Sequence, residues 1–165
     1  MVQMHNDGRF ARLPSSPFVD ISHGRVARVT IDTDGGAPPP RPYRAATLGV
    51  LAGWLSGRDE RMRWQMVAEF LEEFGHEPAW DRVMLLTEEP TSTGDERWDV
   101  FVAALAEHLS ARDGRPAPGW CQARTLRRFW FPFNTPAARA DAIVHAPAAF
   151  RRRGVFIAPQ EVSVA

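Results

Sequence analysis

Residues 93–109 read TGDERWDVFVAALAEHL, and this stretch decides the fold. Trp98, Phe101, Val102, Leu105 and Leu109 recur at the spacing that lines one face of an α-helix. Ahead of them, Thr93-Gly94-Asp95-Glu96 has the form of a capping box, in which the Thr93 hydroxyl takes a backbone N–H three residues on and the Glu96 carboxylate reaches back. Behind them, Asp113-Gly114-Arg115-Pro116 supplies a stop. A helix so clearly bounded is expected to organise the core.

Upstream of this helix, Trp64, Val67, Ala68, Leu71 and Phe74 form a second apolar stripe, with Gly75 as the expected end. A shorter helix is expected to start near Pro78 and to carry Trp80, Val83, Met84 and Leu86. Another is expected over Ala45–Leu55, built on Leu48, Leu51, Trp54 and Leu55 and closed by Gly57. Downstream, Asn134 or Thr135 can cap a helix with Pro136 in its first turn. Pro147 starts a further turn that ends at Gly154, and Val155-Phe156-Ile157 reads as extended.

The N-terminal part has a different grammar. Residues 1–17 are polar and turn-rich, whereas Phe18–Ile21 and Val26–Ile31 suit two short strands around a Gly24 turn. Asp34-Gly35-Gly36-Ala37-Pro38-Pro39-Pro40-Arg41-Pro42 then reads as a linker. The sequence therefore predicts a mainly α fold. Residues 44–165 form a compact multi-helix domain with little other strand, preceded by an irregular arm over 1–43 with a short β-hairpin and a Pro-rich linker.

The 165 residues suit one domain, and a hydrophobic share of 44% with six tryptophans suits a packed core. The formal charge is zero but unevenly spread: residues 1–58 carry +3, residues 59–113 carry −9 and residues 114–165 carry +6. A general attraction to nucleic acid is thus not expected from the total, although local surfaces of either sign are. Every basic side chain other than histidine is arginine. That favours planar, bidentate contacts to carboxylate or phosphate. Cys121 is the single cysteine, which excludes an intramolecular disulfide framework and fits a reducing cytoplasm. No apolar run approaches the roughly 20 residues of a spanning helix, and MVQMHNDGRF lacks the apolar core of a signal peptide. A soluble, cytoplasmic protein without a membrane partner is expected.

Catalytic signatures are missing. The five histidines form no close pair with one another or with Cys121, and Glu73-Phe74-Gly75-His76 is one Glu-x-x-His where a di-metal bundle uses two. No serine sits in a nucleophile elbow, and Gly35-Gly36 runs into prolines instead of a phosphate-cradling helix. No metal, cofactor or catalytic residue is therefore assigned. The chemistry-bearing stretch is instead Arg124–Ile157, with Arg127 and Arg128 beside Phe129, Trp130, Phe131 and Phe133, and with Arg151, Arg152 and Arg153 near its end. The aromatics are expected to form a buried extended seam. The arginines Arg127, Arg128, Arg151, Arg152 and Arg153 are the candidate contacts to an acidic partner or to RNA.

The phrases Trp64–Leu71 (WQMVAEFL), Thr93–Asp99 (TGDERWD), Phe129–Pro132 (FWFP) and His145–Ile157 (HAPAAFRRRGVFI) resemble a family of small actinobacterial proteins. That family is associated with antitoxin-like members of gene pairs whose other member is a nucleotidyltransferase-like protein. The resemblance spans about residues 45–165. Some members carry a helix-turn-helix segment ahead of this region, and the first 43 residues here show no such pattern. The resemblance implies an interaction protein that binds and neutralises a nucleotidyltransferase-like toxin, not an enzyme. The alternative from the residues alone is an arginine-mediated nucleic-acid-binding or regulatory protein.

Overall fold

A computed structural model describes residues 44–164. The expected hairpin, arm and linker of residues 1–43 lie outside the described residues. Six helices follow one another: α1 Leu48–Leu55, α2 Glu60–His76, α3 Ala79–Thr87, α4 Glu96–Arg112, α5 Pro136–His145 and the single turn α6 Ala148–Arg151. Short 3-10 turns occupy Gly119–Ala123 and Pro159–Val162. The described residues contain no sheet, only an isolated parallel bridge between Trp130 and Val155. The mainly α expectation holds.

The helix over residues 96–112 is more central than its stripe suggested. Val100, Ala103, Ala104 and Ala106 are buried along with Trp98, Phe101, Val102, Leu105 and Leu109, so α4 is enclosed nearly all round. The small residues let neighbours approach closely, and α1, α3, α6 and the Gly119–Ala123 turn all pack on it. Aromatic rings knit the layers together. Trp64 of α2 lies 4.9 Å from Trp98 and 5.2 Å from Phe101, and Phe101 in turn lies 5.4 Å from Phe150 of α6.

The capping of α4 corrects the expected box. Asp95 is the N-cap, its carboxylate accepting from the Arg97 N–H at 3.0 Å. Thr93 is buried outside the helix and donates its hydroxyl to Asp99 Oδ1 at 2.7 Å. Asp99 also accepts from the Thr93 N–H at 2.7 Å and the Ser92 hydroxyl at 2.6 Å, so it takes the role assigned to Glu96. The positive φ of 83° at Gly94 makes this possible by turning Thr93 inward. A second correction concerns α2, which runs through Gly75 to His76 and stops where Glu77 precedes Pro78.

Two arginines tie helices by their ends. Arg63 donates through Nε to the Leu55 carbonyl at 2.9 Å and through Nη1 to Asp95 at 3.1 Å, linking the end of α1 to the start of α4. Arg82 grips Asp113 with Nε at 2.9 Å and Nη2 at 2.7 Å, a fork that joins α3 to the end of α4.

The chain after α6 reverses at Gly154, with φ at 81°. A Cβ placed there meets Leu126 Cβ at 3.3 Å and the Leu126 carbonyl at 3.4 Å, whereas at Gly114, also left-handed, nothing lies within 4 Å. Both Gly114→Ala and Gly154→Ala incur the left-handed cost of about 1–2 kcal/mol. Gly154→Ala should lose more, because the adjoining segment must also shift. Chemical denaturation of the two variants checks this, and equal losses would show that the approach at Leu126 is slack.

Candidate nucleic-acid and partner interface

The triple arginine does not form one patch. Arg153 is buried at 4% exposure, with Nη2 2.5 Å from Glu107 Oε2 and Nη1 donating to the Arg124 carbonyl at 3.1 Å. Arg152 pairs with the other oxygen of Glu107 but keeps more than half its side chain in solvent, and Arg151 is exposed. Arg153 is therefore corrected from a surface contact to an internal one. A carboxylate on the inner side of α4 needs a cation, and Arg153 supplies it.

Arg127 and Arg128 are exposed. Three backbone hydrogen bonds hold their segment to the chain after α6: Leu126 N–H to the Arg153 carbonyl at 2.9 Å, Trp130 N–H to the Gly154 carbonyl at 2.8 Å and Phe156 N–H to the Trp130 carbonyl at 2.8 Å. Residues 127–129 lie between those anchors and face solvent. Among the described residues neither Arg127 nor Arg128 has an acidic partner.

The aromatic seam is corrected in part. Alternation along an extended segment turns Trp130 inward, 5.5 Å from Trp98, and turns Phe129 outward to 72% exposure. Phe131 and Phe133 are half-buried, Phe133 against Trp64 at 5.0 Å. Phe131 stacks on Phe156 with centroids 5.1 Å apart and planes at 20°. The Arg139 guanidinium lies 4.5 Å over the Phe131 ring and that of Arg97 5.5 Å over Trp130.

These groups surround an open groove of about 680 Å³ whose walls include Arg97, Phe129, Phe131, Asn134 and Arg139, with Glu60 as its carboxylate. A second groove of about 440 Å³ shares Arg97, Phe129 and Trp130 and adds Arg127, Arg128 and Glu96. Arg97 and Arg139 escaped sequence reading because they belong to α4 and α5, distant in the chain from Arg127. The only local signal was Arg139 in the second turn of a helix that begins beside the aromatic run.

Arg97 is oriented by Asp95, at 3.2 Å through Nη2. Hydrogen bonding to Asp95 raises the Arg97 pKa, so the guanidinium is a fixed charge. Elsewhere the titratable groups have structural settings. Burial pushes the Cys121 thiol up to about 11, leaving it protonated at neutral pH. Among the described residues, no group of three or more His, Cys, Asp or Glu is placed to hold a metal ion. No described helix is long and apolar enough to cross a membrane. Compared with known proteins, the chain matches no family model, no curated protein and no solved structure.

Two predictions follow from the buried groups around α4. Glu107→Ala strands Arg153 without its carboxylate and should cost about 3–5 kcal/mol, the loss typical of a broken buried pair. Urea unfolding measures it, and a loss near zero would mean that water reaches Arg153. The second concerns pH. Burial, and then the charge of Arg112, lower the pKa of His108, which packs 5.7 Å from Phe150. The unfolded chain then binds a proton that the folded chain refuses, so stability should fall as pH drops through the ordinary histidine value of about 6.5. Asp99 adds a later loss: burial opposes its charge, but the bonds from Ser92 and Thr93 together hold its carboxyl below the usual value. Its contribution is present above the unfolded carboxyl value of about 3.9 and is lost below it. His108→Phe should flatten the first limb and leave the second, which thermal melts across pH will show.

Proposed function

We propose that this protein is a non-enzymatic interaction module whose working surface is the arginine and aromatic face around Phe129, and that its partner is anionic there. One observation carries the reading: Phe129, at 72% exposure, projects beside Arg127 and Arg128, which lack acidic partners among the described residues. An exposed aromatic flanked by arginines is the composition enriched where partners are held. A grooved surface with guanidiniums on several walls further supports it.

In the antitoxin-like form implied by the resemblance to the actinobacterial family, the partner is a nucleotidyltransferase-like protein that the module covers and neutralises in the cytoplasm. A second form, an arginine-mediated nucleic-acid-binding or regulatory protein, is favoured by the ring and guanidinium planes that line the groove. Both forms need the same positive face.

The face can be tested without knowing the partner. Because the whole chain is formally neutral, retention on immobilised heparin at neutral pH requires a local basic surface. Retention is expected, and Arg127→Glu with Arg128→Glu should abolish it while leaving the melting temperature unchanged. Passage of the unaltered protein straight through the column would sink the proposal. Co-expression with the product of the neighbouring gene tests the antitoxin-like form, which predicts a complex that the same double variant weakens by about tenfold or more.

A further inference from the structure

Resting on that anionic-partner reading, we infer that the face binds a single strand of nucleic acid, with arginines taking phosphates and planar groups taking bases. An acidic peptide would call only on charge. The face offers more than charge: Phe129 presents its ring at 72% exposure, supported at its edge by Phe156 with centroids 5.1 Å apart. Beside it, Phe131 stacks on Phe156 and carries the Arg139 guanidinium over its ring. Arg139 is exposed, and Asn134 Oδ1 accepts from its Nη1 at 3.4 Å. A nucleobase added above that guanidinium continues the stack, as bases do on arginine planes and on exposed rings.

The layout suits a strand instead of a lone nucleotide. The two grooves adjoin at Arg97, Phe129 and Trp130, which line both. Arg139 serves the first groove, Arg127 and Arg128 serve the second, and Arg97 serves both. Four guanidiniums thus line the grooves with two carboxylates, Glu60 and Glu96, and of the four Arg97 is already paired with Asp95. Bases can reach Phe129 and Arg139 only when they are unstacked, which selects a single strand over a duplex.

The test is fluorescence anisotropy of the full chain with labelled oligothymidylate and oligouridylate of roughly ten nucleotides. Binding should weaken linearly on a log–log plot between roughly 50 and 200 mM salt, and Arg127→Ala and Arg128→Ala should each reduce the slope by about 0.7. Phe129→Ala should weaken binding about tenfold or more with the slope unchanged, and Phe129→Trp should retain it. Thermal melts establish that each variant folds. A polyglutamate of matched charge is the competitor. If it binds as tightly as the oligonucleotides and Phe129→Ala changes nothing, the nucleic-acid assignment falls while the anionic-partner reading stands. If neither polyanion binds, both fall.

Discussion

Glu107 lies on the inner side of α4, where an unpaired carboxylate would be costly, and Arg153 reaches it from 46 residues further along the chain. The pairing constrains far more than two side chains. Arg153 also donates to the Arg124 carbonyl, and its own carbonyl accepts from Leu126. Arg153 therefore ties the segment that carries Arg127, Arg128 and Phe129 to α4, alongside the packing of Trp130 on Trp98. Gly154 then turns the chain back beside Trp130, fixing the second anchor of the exposed segment. A buried ion pair is weak support for stability relative to apolar packing, but it fixes register well. Here the register decides which residues of 127–130 face outward.

Around that anchor, guanidiniums and rings share the work of packing. Arg63 lies over Trp98, Arg82 over Phe74 and Arg124 over Trp120, all within the helical body. Arg97 over Trp130 and Arg139 over Phe131 repeat the same contact at the surface. The surface pairs are thus continuous in kind with the interior ones, and the difference is solvent on the outer plane. Planarity is what permits both uses, since a lysine at these positions would keep the charge but not the stacking.

The helices were legible because their signals are local. Apolar spacing located α2 and α4, and Thr135 with Pro136 located the start of α5, where the Thr135 hydroxyl accepts from the Ala138 N–H at 3.2 Å. The cap of α4 was misread because Thr93, Asp95 and Asp99 are all able to cap, and in the folded turn at Gly94 they divide the work: Asp95 takes the Arg97 N–H and Asp99 takes the Thr93 N–H. Burial in the aromatic run was misread for a different reason. Four aromatics in five positions suggest a seam by composition, yet an extended chain must alternate, and the pairing partners that choose Trp130 for the inside lie around Val155. Arg153 was indistinguishable from Arg151 and Arg152 in sequence, because what sets it apart is burial between Glu107 of α4 and the Arg124 carbonyl, both distant in the chain.

The charge asymmetry can now be followed to particular side chains. The acidic middle of the chain consumes much of its own charge in caps and bridges: Asp59 and Asp95 at helix starts, Asp99 on Thr93, Asp113 on Arg82 and Glu107 on Arg153. The basic C-terminal part gives up Arg124 to Glu89 and both Arg152 and Arg153 to Glu107, and leaves Arg127 and Arg128 without such partners among the described residues. A neutral total therefore conceals a local surplus. Exposed charges separated by more than about 8 Å are screened at physiological salt, so a partner approaching Phe129 feels the nearby arginines and not the distant acids. The zero net charge accordingly limits long-range steering but not contact affinity. Recognition at this face should depend on close geometry, with ring and guanidinium planes contributing alongside charge.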